Sequence, residues 1–362
     1  MSIELREVSC QAIWRKIANS VQYALKNVET IDYKHDILLI NKGFQCATKR
    51  IKNRVISEYN PRIIQSAQTD RLMKEGRKMK KAISFWSLPM DGTATAADGF
   101  AWAKKAGFDG VELLLVPDEG LWGIKSVTPR KDLMKMAEDN GLELASITLG
   151  PKWCQHLLTS KSPKSRQKAL DNIKEMIDIA HEMKIRALLA VDGGFDFSWA
   201  DPSWNACTEF LMYQEAYDAA LEGFRSLAPI AEAANVIVAV ENISGFLNSP
   251  LEYVEFVDKC ESKFIQCFLD IGNIPSIGEP IDWIYACGDR IANMHVKDYL
   301  KSKRVHCDLL AGDINWPGVM KALEDVGYEH YLIAEMIPAY KYYPDQLIYN
   351  TYNSLTRIMD KK

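Results

Sequence analysis

From Lys81 to the end of the chain, short runs rich in β-branched residues and leucine alternate with longer segments of helical periodicity. The short runs are mostly apolar, as expected of strands that are buried on both faces of a parallel sheet. Strands are predicted at residues 81–86, 110–115, 142–148, 186–191, 235–241, 265–270, 291–296 and 330–335. Such regular alternation is typical of repeated βα units.

The segments between these runs carry apolar residues at helical spacing. In residues 164–183 they fall on one face, which is expected to pack on the sheet; they are Ala169, Ile173, Met176, Ile177 and Ala180. Gly107 and Gly141 stand just before the second and third strands. Each suits the left-handed residue that ends a helix and returns the chain to the sheet.

Eight strands and eight helices within residues 79–362 predict a (β/α)₈ barrel, a fold that usually takes about 250 residues. A doubly wound open sheet is the alternative. It is disfavoured because AISFWSLPMDG follows the first strand in place of the G-x-G-x-x-G pattern of such folds.

Residues 1–78 differ in composition from the rest of the chain. They hold 15 Lys and Arg against 8 Asp and Glu, whereas residues 79–362 hold 29 against 40. One hypothesis is an upstream extension of the reading frame, because Met79 precedes the first strand and KEGRKM at 74–79 back-translates to a purine-rich stretch suited to a ribosome-binding site. The other is a genuine, partly helical extension that covers the bottom of the barrel or forms a subunit contact.

Composition excludes several classes of partner. The whole chain has 44 basic and 48 acidic residues, so neither nucleic acid nor a membrane surface is an expected partner. The eight cysteines form no C-x-x-C pair, which fits a reducing cytosol better than a zinc knuckle or a disulfide framework. The chain has no apolar run of about 18 residues and no signal-peptide core, so we expect a cytoplasmic protein.

Functional residues of such barrels lie at the C-terminal ends of the strands. The last four predicted strands end in side chains that can bind a metal, namely Glu241, Asp270, His295 and Glu335. Alone, each carboxylate could be a helix cap or a salt-bridge partner, and the histidine a core residue. Together at equivalent positions, they indicate one divalent cation that neutralises the carboxylates. The oxygen-rich set favours Mn²⁺ or Mg²⁺, with Co²⁺ and Zn²⁺ as alternatives.

Several motifs resemble one family. They are GFDGVEL, VENISGFLNS, LDIGN, HVKD, GDINWPGVMKAL and IAEM. Over about residues 80–360 the chain resembles the sugar-phosphate isomerase/epimerase group of the xylose-isomerase-like TIM barrels, which includes the ketose 3-epimerases. The resemblance implies that Glu241, Asp270, His295 and Glu335 bind one divalent metal ion.

The resemblance also implies a reaction, in which a proton is removed α to a carbonyl of a ketose or ketose phosphate through an enediolate. Glu241 and Glu335 would flank C3 of the substrate, one taking a proton and the other returning one on the opposite face. Asp270 and His295 would bind the metal without transferring protons. Homodimers and homotetramers are common in the family.

Other residues near the strand ends are candidates for substrate contacts. Glu112 in GVEL is expected either to bind a substrate hydroxyl or to form a structural salt bridge. Arg304 lies where relatives place a substrate-binding arginine, a role that Lys301 or Lys303 could take instead. The adjacent charges in HVKD are interpreted as an ion pair between Lys297 and Asp298.

Three other functions stay open. An inosose-type dehydratase would share the metal and the proton abstraction but eliminate water. An endonuclease IV-like nuclease would use the same barrel, but the five histidines and the acidic balance of residues 79–362 disfavour it. A non-catalytic sugar-binding protein would not require a proton-transfer pair.

Overall fold

The computed structural model describes residues 79–116, 120–121, 128–198, 200–243 and 245–360. The two hypotheses about residues 1–78 concern a segment outside the described residues, and both stay predictions.

Eight parallel strands form a nearly closed barrel, as the sequence predicts. They are β1 (Lys80–Ser84), β2 (Gly110–Val116), β3 (Glu143–Leu149), β4 (Ala187–Ala190), β5 (Ile237–Glu241), β6 (Ile265–Asp270), β7 (Ile291–Val296) and β8 (Tyr331–Ala334). The hydrogen-bonded order is β3-β2-β1-β8-β7-β6-β5-β4, and β3 lies beside β4. The predicted bounds of the strands at 265–270 and 291–296 coincide with the observed ones.

Eight helices alternate with these strands. They are α1 (Ala96–Ala106), α2 (Arg130–Asn140), α3 (Pro163–Glu182), α4 (Tyr213–Ala234), α5 (Pro250–Lys259), α6 (Pro280–Cys287), α7 (Trp316–Asp325) and α8 (Pro344–Met359). Gly107 and Gly141 end α1 and α2 with φ of 105° and 61°, so their predicted left-handed conformation is confirmed. Among the described residues, none of the helices combines the length and the apolar composition needed to cross a membrane.

The apolar face of α3 shows how the sequence positions these layers. Its five predicted apolar residues are all buried, because they project from one side of the helix against the barrel. The strands are also buried almost throughout, since helices cover them outside and side chains fill the barrel inside.

Two irregular segments follow the last strands and border the C-terminal end of the barrel. After β7 the chain forms a short antiparallel hairpin from Asp298–Leu300 and Val305–Cys307, which we call the 298–307 hairpin. After β8, residues 335–343 form a loop that leads into α8. Both segments line a cavity together with Lys297 and Glu335.

Candidate metal centre

The four predicted metal ligands meet at the C-terminal end of the barrel. Glu241 and Asp270 are the last residues of β5 and β6, His295 is the penultimate residue of β7, and Glu335 directly follows β8. All four side chains are buried. Asp270 and His295 are register partners on adjacent parallel strands, so both side chains leave the sheet at the same level.

The imidazole of His295 lies at the centre of this group. Its Nδ1 is 3.8 Å from Glu241 Oε1, 4.0 Å from Asp270 Oδ2 and 3.6 Å from Glu335 Oε1. These distances are too long for hydrogen bonds, and the buried Nδ1 has no hydrogen-bond partner among the described residues. Such a nitrogen, facing three carboxylates, is a place for a positive charge, either a proton on the ring or a cation bound to its lone pair once the proton has left.

The donor set fits a divalent cation. Glu241, Asp270 and His295 each offer one ligand atom, and these three atoms lie within 4.8 Å of one another. A metal ion binds nitrogen and oxygen ligands at about 2.0–2.2 Å, so donors separated by roughly 4 Å can share one ion after a small contraction. Glu335 also reaches the same nitrogen through Oε1, while its Oε2 accepts a hydrogen bond from Lys297.

Glu112 bonds to the other ring nitrogen of His295. It lies in β2, is fully buried, and its Oε1 is 2.8 Å from His295 Nε2. When Nε2 carries the proton and donates it to the carboxylate, the lone pair of a neutral imidazole is at Nδ1, toward the other ligands. The structure pairs Glu112 with His295, and a substrate-binding role for Glu112 stays a prediction.

Lys297 joins the site, and its predicted pairing with Asp298 is wrong. Its Nζ lies 2.6 Å from Asp270 Oδ2 and donates a hydrogen bond to Glu335 Oε2. The reason is the two-residue period of an extended chain, which directs the side chains of residues 295 and 297 to one face and that of residue 298 to the other. This alternation is the sequence signal that could have placed Lys297 beside the metal ligands.

Backbone contacts hold Asp270 in place. The Asn242 amide donates to the carbonyl of Asp270 at 3.0 Å and accepts from its backbone N–H at 2.7 Å. The N–H groups of Gly272 and Asn273 donate to Asp270 Oδ1 at 2.8 and 3.3 Å. Asn242, in the motif VEN, thus ties the end of β5 to the end of β6, a role that the sequence analysis did not assign.

Burial and neighbouring charges shift the titration of these groups. Burial raises the pKa of Glu241 to about 7, and the Asp270 charge adds to the increase although His295 opposes it. Burial also opposes ionisation of Asp270, but the ammonium of Lys297 and the charge of His295 hold the pKa of Asp270 below its usual value. Burial would lower the pKa of His295, yet the carboxylates of Glu112 and Glu335 raise it well above its usual value.

A cavity of about 370 Å³ borders the site. Lys297 and Glu335 form part of its wall. The rest of the wall comes from residues 306–308, at the end of the 298–307 hairpin, and from residues 336–341, after β8. The volume is in the range of small-molecule sites. The cavity therefore gives a small ligand access to the carboxylate of Glu335.

Arg304 lies apart from the metal ligands. It is exposed in the turn of the 298–307 hairpin, with φ of 56°, and it is not among the residues that line the cavity. Lys301 and Lys303 are exposed in the same turn, and Lys301 pairs with Glu279 at 2.7 Å. A substrate-binding role for Arg304 stays a prediction.

Comparison with known sequences shows which family this barrel belongs to. The family described as "Xylose isomerase-like TIM barrel" matches residues 100–349, which is well over half of the chain. The chain belongs to this family, and the predicted family is confirmed.

Individual relatives are distant. The inosose dehydratase of Clostridium perfringens (strain ATCC 13124) is 22% identical over 213 residues, which is 54% of this chain and 71% of that protein. A D-psicose 3-epimerase from Clostridium cellulolyticum H10, crystallised with D-tagatose, is 18% identical with a TM-score of 0.60, covering 77% of this chain and 98% of its own.

Two further solved structures share the fold. An L-ribulose 3-epimerase is 16% identical with a TM-score of 0.63, covering 78% of this chain and 94% of its own. The IolI protein, crystallised with a zinc atom, is 14% identical with a TM-score of 0.63, covering 78% of this chain and 99% of its own. At these identities the likeness concerns the fold.

Proposed function

We propose that the protein is a divalent-metal-dependent epimerase or isomerase of a ketose or ketose phosphate. The observation that carries this proposal is the convergence of two buried glutamates, Glu241 and Glu335, on one imidazole nitrogen beside a small-molecule cavity. Relatives that share the fold include a D-psicose 3-epimerase and an L-ribulose 3-epimerase, which supports a sugar as the substrate class.

The two glutamates suit transfer of a proton to and from carbon. They come from β5 and β8, which are separated in the barrel by β6 and β7, so the two carboxylates approach from different directions. One takes the proton α to the substrate carbonyl, and the other returns a proton to the opposite face of the planar intermediate. Burial raises the pKa of Glu241 to about 7 when no metal ion is bound, so in that state its carboxyl can hold or release a proton near neutral pH.

The metal ligands we propose are Glu241, Asp270, His295 and Glu335. A bound divalent ion would supply an electrophile for the substrate carbonyl and so stabilise negative charge that develops on its oxygen. Asp270, fixed by Asn242 and paired with Lys297, stays ionised and orients the site. Mn²⁺ is the proposed ion, with Mg²⁺, Co²⁺ and Zn²⁺ as alternatives.

A dehydratase is the second candidate, because the curated relative from Clostridium perfringens is named an inosose dehydratase. Dehydration of an inosose would begin with the same abstraction of a proton α to a carbonyl. It would then need one glutamate to protonate the departing hydroxyl. An epimerase gives a new diastereomer of the same composition, whereas a dehydratase gives a product that has lost water.

Replacing each glutamate tests whether the site transfers protons. Glu241→Gln and Glu335→Gln are each expected to lower turnover of a ketose by a factor of about 10²–10⁴, because an amide cannot exchange a proton in this way. Glu279→Gln, an exposed glutamate outside the site, is the matched control and should keep wild-type turnover. If the wild type binds sugar without converting it, and both glutamine variants bind it equally well, the protein is a sugar-binding protein instead.

A further inference from the structure

Lys297 occupies an unusual place for a lysine. Its side chain is 8% exposed, and its ammonium contacts two carboxylates that are both proposed metal ligands, Asp270 and Glu335. Lysine is rarely buried unless it is paired, because removing an ammonium from water is costly. The double ion pair with Asp270 and Glu335 offsets that cost.

The neighbouring strand end is shaped to admit this lysine. A Cβ atom at Gly272 would lie 2.1 Å from Lys297 Cγ and 3.0 Å from its Cδ, far inside the contact distance of carbon atoms. Any side chain at position 272 would thus displace the lysine stem or the loop. The glycine in the motif LDIGN is therefore required where the stem of Lys297 crosses the end of β6.

The ammonium and a divalent cation would share the same two carboxylates. Lys297 Nζ contacts Asp270 Oδ2 and Glu335 Oε2, whereas His295 Nδ1 faces Asp270 Oδ2 and Glu335 Oε1. Two cations held by the same pair of buried carboxylates repel each other strongly. The cavity that borders Lys297 offers space into which the ammonium can move.

We propose that Lys297 is a resident counter-ion that competes with the divalent cation for Asp270 and Glu335. In the metal-free protein it neutralises these carboxylates and holds them in position. When the cation enters, the ammonium gives up at least one of the two contacts and turns toward the cavity. This inference rests on the proposed function in one respect, namely that the site binds a divalent cation.

The test compares Mn²⁺ binding by wild type and two variants, using isothermal titration calorimetry on EDTA-treated, dialysed protein. Lys297→Met keeps most of the stem and removes the ammonium, so Mn²⁺ affinity should rise by roughly tenfold or more. Lys301→Met, which removes an exposed lysine of the same hairpin, controls for net charge and should stay within about twofold of wild type.

A second readout is the melting temperature in EDTA. Lys297→Met should lower it, because Asp270 and Glu335 lose their buried counter-ion, and saturating Mn²⁺ should restore it by a larger shift than in wild type. If Lys297→Met folds poorly without metal, both proteins are purified in Mn²⁺ and treated with EDTA only before the melting experiment, so that both start from the folded state.

The inference is overturned if folded Lys297→Met binds Mn²⁺ with unchanged or weaker affinity, or if its EDTA-treated form melts at the wild-type temperature. Neither readout involves a sugar. Absence of sugar turnover in metal-loaded wild type would contradict the proposed reaction and leave the counter-ion result standing, so the two failures are distinguishable.

Discussion

The Nε2 atom of His295 lies 2.8 Å from Oε1 of Glu112, and both side chains are almost completely buried. This contact joins β7 to β2, which are on different sides of β1 and β8 in the barrel. It fixes the orientation of the ring, so that Nδ1 faces the other carboxylates. We therefore expect Glu112 to act as a positioning residue for a metal ion bound by His295.

Replacing Glu112 should weaken metal binding without removing a ligand. Glu112→Gln retains an oxygen that can accept from Nε2 but loses the negative charge, and Mn²⁺ affinity should fall about 10–100-fold in calorimetry. Glu143→Gln alters a half-exposed carboxylate at the start of β3, which pairs with Lys80, and serves as the control. Equal Mn²⁺ affinity in Glu112→Gln and Glu143→Gln would contradict the positioning role.

Asp192, just beyond β4, should make stability fall as the pH rises. It is fully buried, and neither carboxylate oxygen has a hydrogen-bond partner among the described residues. Burial, and then the charge of Glu241, raise the pKa of Asp192 well above its usual value. Below the unfolded pKa of about 3.9 the carboxyl is protonated in both states. Above it, the unfolded state gains by ionising, so stability is lost until the pH passes the folded pKa.

Asp192→Asn removes this titration. In EDTA, its melting temperature relative to wild type should rise as the pH increases above about 3.9 and until the pH passes the folded pKa. The slope should be roughly 3–6 °C per pH unit, since one pH unit corresponds to about 1.4 kcal/mol and each kcal/mol to roughly 2–4 °C in domains of about 150–250 residues. Asp178→Asn, on an exposed position of α3, should show no such trend. A pH-independent difference between Asp192→Asn and wild type would contradict the assignment.

Asp298 should be needed for the stability of the 298–307 hairpin and the segment after it. Its carboxylate accepts from the backbone N–H of Tyr299, Leu310 and Ile314 and from Trp316 Nε1, at 2.8–3.3 Å. Asp298→Ala leaves buried donors unpaired and should lower the free energy of unfolding by about 2–4 kcal/mol in urea titrations. Asp298→Asn, which keeps one acceptor oxygen, should lose less. Equal losses would show that the carboxylate contacts are not the cause.

Cysteine reactivity should follow burial. Of the six cysteines in the described residues, Cys207 and Cys307 are partly exposed, while Cys154, Cys260, Cys267 and Cys287 are buried. Burial also raises the pKa of Cys154 to about 11 and that of Cys260 to about 12, which suppresses the reactive thiolate. Brief iodoacetamide labelling followed by peptide mass spectrometry should modify Cys207 and Cys307 first. Early modification of Cys154 or Cys260 in folded protein would contradict this order.

The ends of the strands could be predicted because each strand is a short apolar run that stops at the C-terminal end of the barrel. The bounds of β6 and β7 were predicted correctly, because Asp270 and Gly272 interrupt the first apolar run and Lys297 and Asp298 end the second. Glu335, expected as the last residue of β8, lies one residue beyond it. The convergence of the four residues follows from the parallel barrel, in which all strands end on the same side.

Contacts between distant parts of the chain were not predictable from local pattern. The partner of Glu112 is 183 residues away in sequence, and that of Lys297 is 38 residues away at Glu335. Adjacent opposite charges suggested that Lys297 pairs with Asp298, whereas strand alternation separates them. The number of residues between His295 and Arg304 likewise could not show that Arg304 lies in an exposed hairpin turn.

Proton NMR in D₂O tests the central claim, that the site moves a proton α to a sugar carbonyl. Protein loaded with Mn²⁺, and an EDTA-treated control, would be incubated with D-psicose, D-tagatose, D-fructose, L-ribulose, a ketose phosphate and an inosose. We expect metal-dependent deuterium at C3 of a ketose together with a new diastereomer, whereas exchange at C1 would indicate an aldose–ketose isomerase and loss of water a dehydratase. Absence of both exchange and water loss on every substrate would contradict proton abstraction by Glu241 and Glu335.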